Sequence, residues 1–337
     1  MKIRRFCALG AAVAVAFALH GAGAEPLKLR VQWPTFPGQI TPMIPEAPKE
    51  LYKHYGQSYV VEPIFMPGST QSLTALAANE LEVAAFTPQS LALAVVEAKL
   101  DVRVIAQVLS TDVKGYPATY FWVRKDEVQK IEDLKGKVIA VNGRGTAVGA
   151  AAVLMMGRKG FKPTDYQIVE VGFQNMLAAL ESKRADAAYL LRPWDQQAAK
   201  NPAFKPLFGM GDVYGRNETG MWTAKADFIA KHRAALVDFL EDNARLRRWL
   251  YDPKNRHDVI ALAAKVGKQP EAAYADWLFA DKDPNYRALD LEVDMKALQS
   301  NTNDMKEGGL VPTTIDVKGY VDMSLAKDAV GRANATH

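Results

Sequence analysis

Of the ionised side chains in this 337-residue sequence, Arg192 is the one placed best for chemistry. It follows the apolar run Ala187–Leu191 and precedes Pro193-Trp194, where a strand should give way to a helix. A guanidinium there can grip two oxygens of a carboxylate or sulfonate through its planar fork; the competing reading is a surface ion pair. Trp33, between Gln32 and Thr35, and Trp194 both stand just past apolar runs, where they could sandwich an organic ligand or simply pack. Three further turns combine glycine, proline and hydroxyl residues: Gly68-Ser69-Thr70, Thr87-Pro88-Gln89 and Gly143-Arg144-Gly145-Thr146. Ser69 reads as an N-cap, and Gly145-Thr146 holds the equivalent place in the second half. Free N–H groups at helix N-termini attract anions, so two such turns could converge on one. Arg144 and Arg216 are weaker cationic candidates on loops.

Several chemistries lack their residues. No GxxxxGK[ST] occurs, and Gly143-x-Gly145 has no third glycine at dinucleotide-loop distance. The five histidines, His20, His54, His232, His257 and His337, show no HExxH and no ligand spacing, so each reads as a surface residue; no metal and no cofactor are expected. The single cysteine, Cys7, lies near the N-terminus.

The elements that must position these residues follow from periodicity. From Leu27 to Phe208, short apolar runs alternate with amphipathic ones, which predicts βαβ units and a largely parallel sheet. Strands are expected at Leu27–Gln32, Val60–Met66, Val83–Thr87, Arg103–Leu109, Ala118–Arg124, Lys137–Val141, Tyr166–Val171 and Ala187–Leu191. Leu73, Leu76 and Ala77, and likewise Met176, Leu177 and Leu180, mark helix core stripes. After about residue 222 strands should nearly stop: Leu236, Phe239, Leu240, Asn243, Leu246 and Leu250 trace one face of a long helix, and the C-terminal third reads as mainly helical. An internal echo, Ala75-Leu76 through Ala84 against Ala179-Leu180 through Ala188, implies two similar lobes; each copy runs on toward a proline, Pro88 or Pro193.

The N-terminus reads as an export signal: a basic MKIRR, apolar residues 6 to 19, then Ala22-Gly23-Ala24 for cleavage. That apolar stretch is shorter than the roughly 20 residues a spanning helix needs. Residues 1–24 are therefore expected to be removed, leaving a mature chain without cysteine and hence without disulfide or thiolate chemistry. The net charge of +4 includes Lys2, Arg4 and Arg5, so the mature chain has no basic field for nucleic acid.

The stretch Ile131-Glu132-Asp133-Leu134-Lys135-Gly136-Lys137-Val138-Ile139-Ala140-Val141, with Gly145-Thr146 after it, resembles a segment of periplasmic binding proteins of the nitrate/sulfonate/taurine family. Gly68-Ser69-Thr70, the Asp186-Ala187 segment and Val317 to Ala326 resemble other parts of that family, in the same order. The resemblance implies an α/β type II periplasmic-binding-protein fold, with two Rossmann-like lobes joined by two crossover segments near Pro117–Arg124 and Val213–Ala224. Lobe I would comprise 25–117 plus 222–337, and lobe II 118–221. It also implies a non-catalytic, periplasmic, monomeric solute-binding protein whose partners are a small-molecule ligand and an ABC permease with its ATPase. By position, its ligand loops would contain Gln32, Trp33, Thr35, Ser69, Thr70, Thr87, Gln89, Gly145, Thr146, Arg192 and Trp194. The Pro-rich aromatic loop Trp33-Pro34-Thr35-Phe36-Pro37-Gly38, and arginine at 192 where the family often has an acid, favour an organic anion over nitrate. The alternatives are an enzyme on the same fold, such as a thiamin-pyrimidine synthase-like protein or a porphobilinogen deaminase, and a ligand-sensing partner of a membrane kinase.

Overall fold

The structure, a computed structural model, describes residues 25–335; the export-signal reading, on residues 1–24, lies outside the described residues. Helices and strands alternate from the start, as the apolar runs require. The first half contains β1 (Leu27–Trp33), β2 (Tyr59–Phe65), α1 (Ser69–Ala77), β3 (Ala84–Phe86), α2 (Pro88–Val96) and β4 (Val102–Thr111). Then come β5 (Tyr120–Arg124), β6 (Val138–Val141), α3 (Ala147–Arg158), β7 (Gln167–Glu170), α4 (Met176–Glu181), β8 (Ala187–Leu190), α5 (Trp194–Ala199) and β9 (Phe204–Gly209). The chain ends with α6 (Met210–Tyr214), β10 (Asn217–Lys225), α7 (Ala226–Tyr251), α8 (Arg256–Gly267), α9 (Met295–Glu307) and α10 (Ser324–Asn334).

All eight expected strands form, but the sheets are not largely parallel. In the first, β1 pairs parallel with β2, and a single bridge from Val31 to Val83 joins them to the β3-β10-β4 sheet, where β10 runs antiparallel to both neighbours. In the second, of order β7-β6-β8-β5-β9, only β5 opposes its neighbours. β5 and β10 are the strands that receive the chain as it passes between lobes, and each arrives from the opposite end of its new sheet. The passages themselves lie at 112–119 and 215–216; most of Pro117–Arg124 and Val213–Ala224, where the crossovers were expected, is strand. β9 and β10 were not foreseen as strands, because Pro206 and the polar start Asn217-Glu218-Thr219 break the apolar pattern.

Helix starts follow their caps. Thr87 and Thr146 cap α2 and α3 through their hydroxyl oxygens, which accept from Ser90 N and Gly149 N, both at 3.2 Å. The α1 N-cap is Gly68, not Ser69, which is already the first helical residue. The buried stripe of α1 is Ser72, Ala75 and Leu76, with Ala77 exposed. On α7 the stripe from Leu236 to Leu250 is buried as expected, and Phe239 packs 4.8 Å from Trp222 and 5.6 Å from Tyr59, ring to ring.

The internal echo reappears in atomic detail. Asn79 (φ 59) and Lys183 (φ 61), 104 residues apart, both turn left-handed after their helices. Glu80 N then donates to Ala75 O at 2.8 Å, and Arg184 N to Ala179 O at 2.9 Å. The acids that follow each fasten a neighbouring strand, β1 or β6: Glu82 Oε2 accepts from Arg30 N at 2.8 Å, and Asp186 Oδ2 from Val138 N at 2.9 Å. Each acid also pairs with an arginine, Arg30 or Arg124.

Candidate functional site

The carboxyl ends of the strands in the two sheets face one another across a cleft, the place where open α/β sheets bind ligands. Two adjoining compartments open there. The inner one is lined from the first sheet by Thr35, Phe36, Gln39, Thr87 and Thr111, and from the second by Asn142, Thr146, Tyr189 and Arg192. The outer one holds Trp33, Phe65, Trp194 and Tyr274. They share Pro34, Thr35, Phe36, Pro37 and Phe173 as a common wall.

Arg192 is the ionised side chain of the inner compartment among the described lining residues. Its side chain is only 15% exposed, and the nearest carboxylate, Asp195, stands 4.0 Å away, beyond a hydrogen bond. Arg192 Nε is buried and has no hydrogen-bond partner among the described residues, while its guanidinium carbon lies 5.9 Å from the Trp277 ring centre. Burial pushes the Asp195 carboxyl above the usual carboxylate range, with the Arg192 charge opposing. A cation removed from water without a full set of acceptors is unfavourable by itself, and an incoming oxyanion relieves it.

The other inner groups are neutral. The Thr111 and Thr219 hydroxyls meet at 2.9 Å, and Tyr189 OH donates to Thr119 Oγ1 at 2.7 Å. Asn142 Nδ2 reaches across the cleft to donate to Pro67 O at 3.1 Å, and its Oδ1 accepts from Thr146 Oγ1 at 2.8 Å. Gln39 Oε1 is buried and has no hydrogen-bond partner among the described residues. Gly149 lets α3 begin close to the 143–144 turn: a Cβ there would come 2.3 Å from Gly143 O, so any larger residue must displace that turn.

The structure sorts the sequence-derived residues. Thr35, Thr87, Thr146 and Arg192 gather in the inner compartment, and Trp33 and Trp194 in the outer. Gln32, Gln89 and Gly145 line neither. The Gln32 amide ties strands together, donating to Met66 O and accepting from Ala85 N, each at 2.9 Å. The side chains of Ser69 and Thr70 lie outside those described. Sequence reasoning missed Asn142, Tyr189, Gln39 and the whole contribution of the irregular segment 268–294, which brings Trp277, Pro284, Asn285, Gln269 and Tyr274 to the cleft. No periodicity marks that segment; buried arginines hold it. Arg247 donates to Ala288 O at 2.6 Å, and Arg287 to Pro37 O and Gly38 O, both at 2.9 Å, which fixes the wall between the compartments.

The histidines do not all lie on the surface. His54 is half-buried, and its Nε2 is 3.1 Å from Glu241 Oε2; with Asp238 the three ligand atoms fall within 4.8 Å. The sequence separation of these residues hid the grouping. Arg245 also reaches Glu241 and Arg332 also reaches Asp238, so cations already serve both acids.

The fold and the cleft together define a two-lobed chain with the periplasmic-binding-protein fold. The chain belongs to the NMT1/THI5-like family, whose model matches residues 39–251. No curated protein sequence matches the chain significantly. Among solved structures it is similar to the alkanesulfonate-binding protein SsuA from Xanthomonas axonopodis pv. citri bound to MOPS, with TM-score 0.68, 18% identity, and 89% of this chain and 99% of that one covered. It is similar to the periplasmic nitrate-binding protein NrtA from Synechocystis PCC 6803 at TM-score 0.67 and 13% identity, over 91% and 89% of the two chains. It also shares the fold of the desulfurization enzyme DSZB, with TM-score 0.62, 14% identity, and 91% and 99% covered. Within the described residues, no helix is long and apolar enough to cross a membrane.

Proposed function

We propose that this protein is the extracytoplasmic solute-binding component of an ABC importer, capturing a small organic anion between its lobes. The underpaired, buried Arg192 carries this reading: a site built this way gains most from a carboxylate or sulfonate. The kinship with sulfonate- and nitrate-binding folds supports it, and so does the mostly apolar and aromatic lining, which exceeds what a bare nitrate needs. On this reading the chain is exported by residues 1–24 and works in the periplasm as a monomer. Lobe I comprises 25–117 plus 222–337, lobe II comprises 118–221, and the ligand-closed form docks on a permease with its ATPase. Capture and closure need a population shift but no bond-making step.

The test is a thermal-shift titration of the purified protein with small sulfonates and carboxylates. Saturation at 100 times the dissociation constant should add about 2.7 kcal/mol of stability, and Arg192→Gln should remove the shift. A panel that shifts neither protein contradicts the proposal, and so does turnover of a bound ligand.

A further inference from the structure

The two compartments differ in charge and in surface, and the difference specifies the ligand further. Among their described lining residues, the inner compartment carries one ionised group, Arg192, and the outer carries none. Neither contains a carboxylate. The outer compartment instead presents flat apolar faces and amides. Trp33 and Phe65 meet at 4.8 Å between ring centres, tilted by 54°, and form an aromatic corner. Trp194 lines the same compartment from the other lobe, with the amides of Gln174, Gln197 and Gln269 around it. Phe65 is 52% exposed, a large apolar surface left facing water at the compartment's lip.

Resting on the anion-binding reading above, we infer that the natural ligand is an elongated monoanion whose charged head lies at Arg192 and whose uncharged planar end occupies the outer aromatic compartment. The shared wall of Thr35, Phe36 and Phe173 makes the two spaces continuous, so one molecule can reach both. An aromatic end gains from stacking and from covering Phe65, and the glutamine amides can donate to or accept from ring heteroatoms. A second anionic group would find no cation in the outer space, and an ammonium group no carboxylate in either. Both would lose hydration without replacement. Dianions and zwitterions, amino-sulfonates and amino acids among them, are therefore disfavoured relative to the monoanion. Trp33 and Trp194 are specificity-determining residues on this inference, and Arg192 sets affinity for the head.

Isothermal titration with a matched set decides the matter: butanesulfonate, 4-phenylbutanesulfonate, and the latter with an aminomethyl group on the ring, each repeated with a carboxylate head. The phenyl-ended anion should bind at least tenfold more tightly than the plain one, and the ring ammonium should cancel that gain. Trp33→Ala and Trp194→Ala should bring the affinity ratio of the phenyl-ended to the plain anion close to one, with far-ultraviolet circular dichroism as the check that they fold. Gln197→Ala, at an exposed position, should weaken a pyridyl-ended anion but not the phenyl one. If plain and phenyl-ended anions bind equally and the tryptophan variants change nothing, the two-compartment inference fails while the anion reading stands. If no anion binds the unaltered protein, the anion reading fails and takes the inference with it.

Discussion

The two lobes repeat one scaffold and differ where they touch the cleft. In both, a helix ends on a left-handed residue, an acid fastens a neighbouring strand, and an alanine-containing strand runs to the cleft: Asn79, Glu82 and β3 in one, Lys183, Asp186 and β8 in the other. Past that strand they part. The first lobe turns through Thr87-Pro88, where the threonine oxygen is occupied by its own helix. The second turns through Arg192-Pro193 and leaves a buried guanidinium underpaired. The backbone-positioning device is thus repeated, and the charge that selects a ligand is supplied by one lobe alone. On the proposed function, a cleft with a cation on one side and hydroxyls and amides on the other would bind an anion by closing over it.

The sharpest way to test the repetition is to cut the acid in each lobe. Asp186→Ala should lower stability by about 3 kcal/mol, because Arg124 (10% exposed) loses a buried partner and Val138 N loses its acceptor. Glu82→Ala should cost about 2 kcal/mol, since Arg30 is 33% exposed and water replaces part of the pair. Urea midpoints measure both, and a larger loss at Glu82 would break the ordering.

The junction between the lobes offers the next effect. Glu218, at the start of β10, is fully buried; its Oε1 accepts from Ser110 Oγ at 2.9 Å and pairs with Arg216, and its Oε2 has no partner among the described residues. Burial raises its carboxyl to about 7 from an ordinary 4.5, against the pull of Ser110 and Arg216 and with some help from Asp294. The native state then binds more protons than the unfolded chain between those values. This residue's contribution is fullest below about pH 4.5 and falls as pH rises to about 7, by up to about 3 kcal/mol. Asp112, raised to about 6 mainly by burial, acts in the same sense. Glu218→Gln should gain on the unaltered protein in melting temperature at pH 8 and not at pH 4.5; a gain of equal size at both would rule this account out.

Binding separates the two cleft turns. Arg192→Gln should weaken a bound organic anion about 100-fold, equivalent to about 2.7 kcal/mol. Thr87→Ala should change affinity less than about threefold while lowering stability by about 1 kcal/mol through its lost cap. Calorimetry and denaturation on the same pair of variants would merge the turns if both lost affinity alike. The smallest effect concerns the repeated left-handed positions. Lys183→Gly should stabilise by about 0.5 kcal/mol, since lysine tolerates φ 61 poorly. Asn79→Gly should gain nothing, because asparagine accepts that conformation and its side-chain Oδ1 accepts from Lys225 Nζ, a bond glycine cannot make.

Much of the fold was legible because it is written locally. Alternating apolar runs gave eight strands, Pro88 announced the first turn of α2, and the α7 stripe from Leu236 to Leu250 marked a buried face. The reversed strands β5 and β10 were not legible, since an apolar run carries no direction. The site was half legible. Arg192, Trp33 and Trp194 were findable because ligands gather at strand ends, and the structure divides them between two compartments.

What the sequence by itself determined is the order of the first eight strands with helices among them, the long helical stripe in the C-terminal third and the presence of a cation at a strand's end, all consequences of spacing along the chain. Only the tertiary structure decided that Trp277, Gln269 and Tyr274 meet Arg192 and Trp33 across the cleft, that Gln32 serves the sheet instead of the cavity, and that Pro37-Gly38 is held by Arg287. The reason is physical. Periodicity and capping act over a few residues, whereas the charge and shape of a cavity depend on which distant segments the packing brings together.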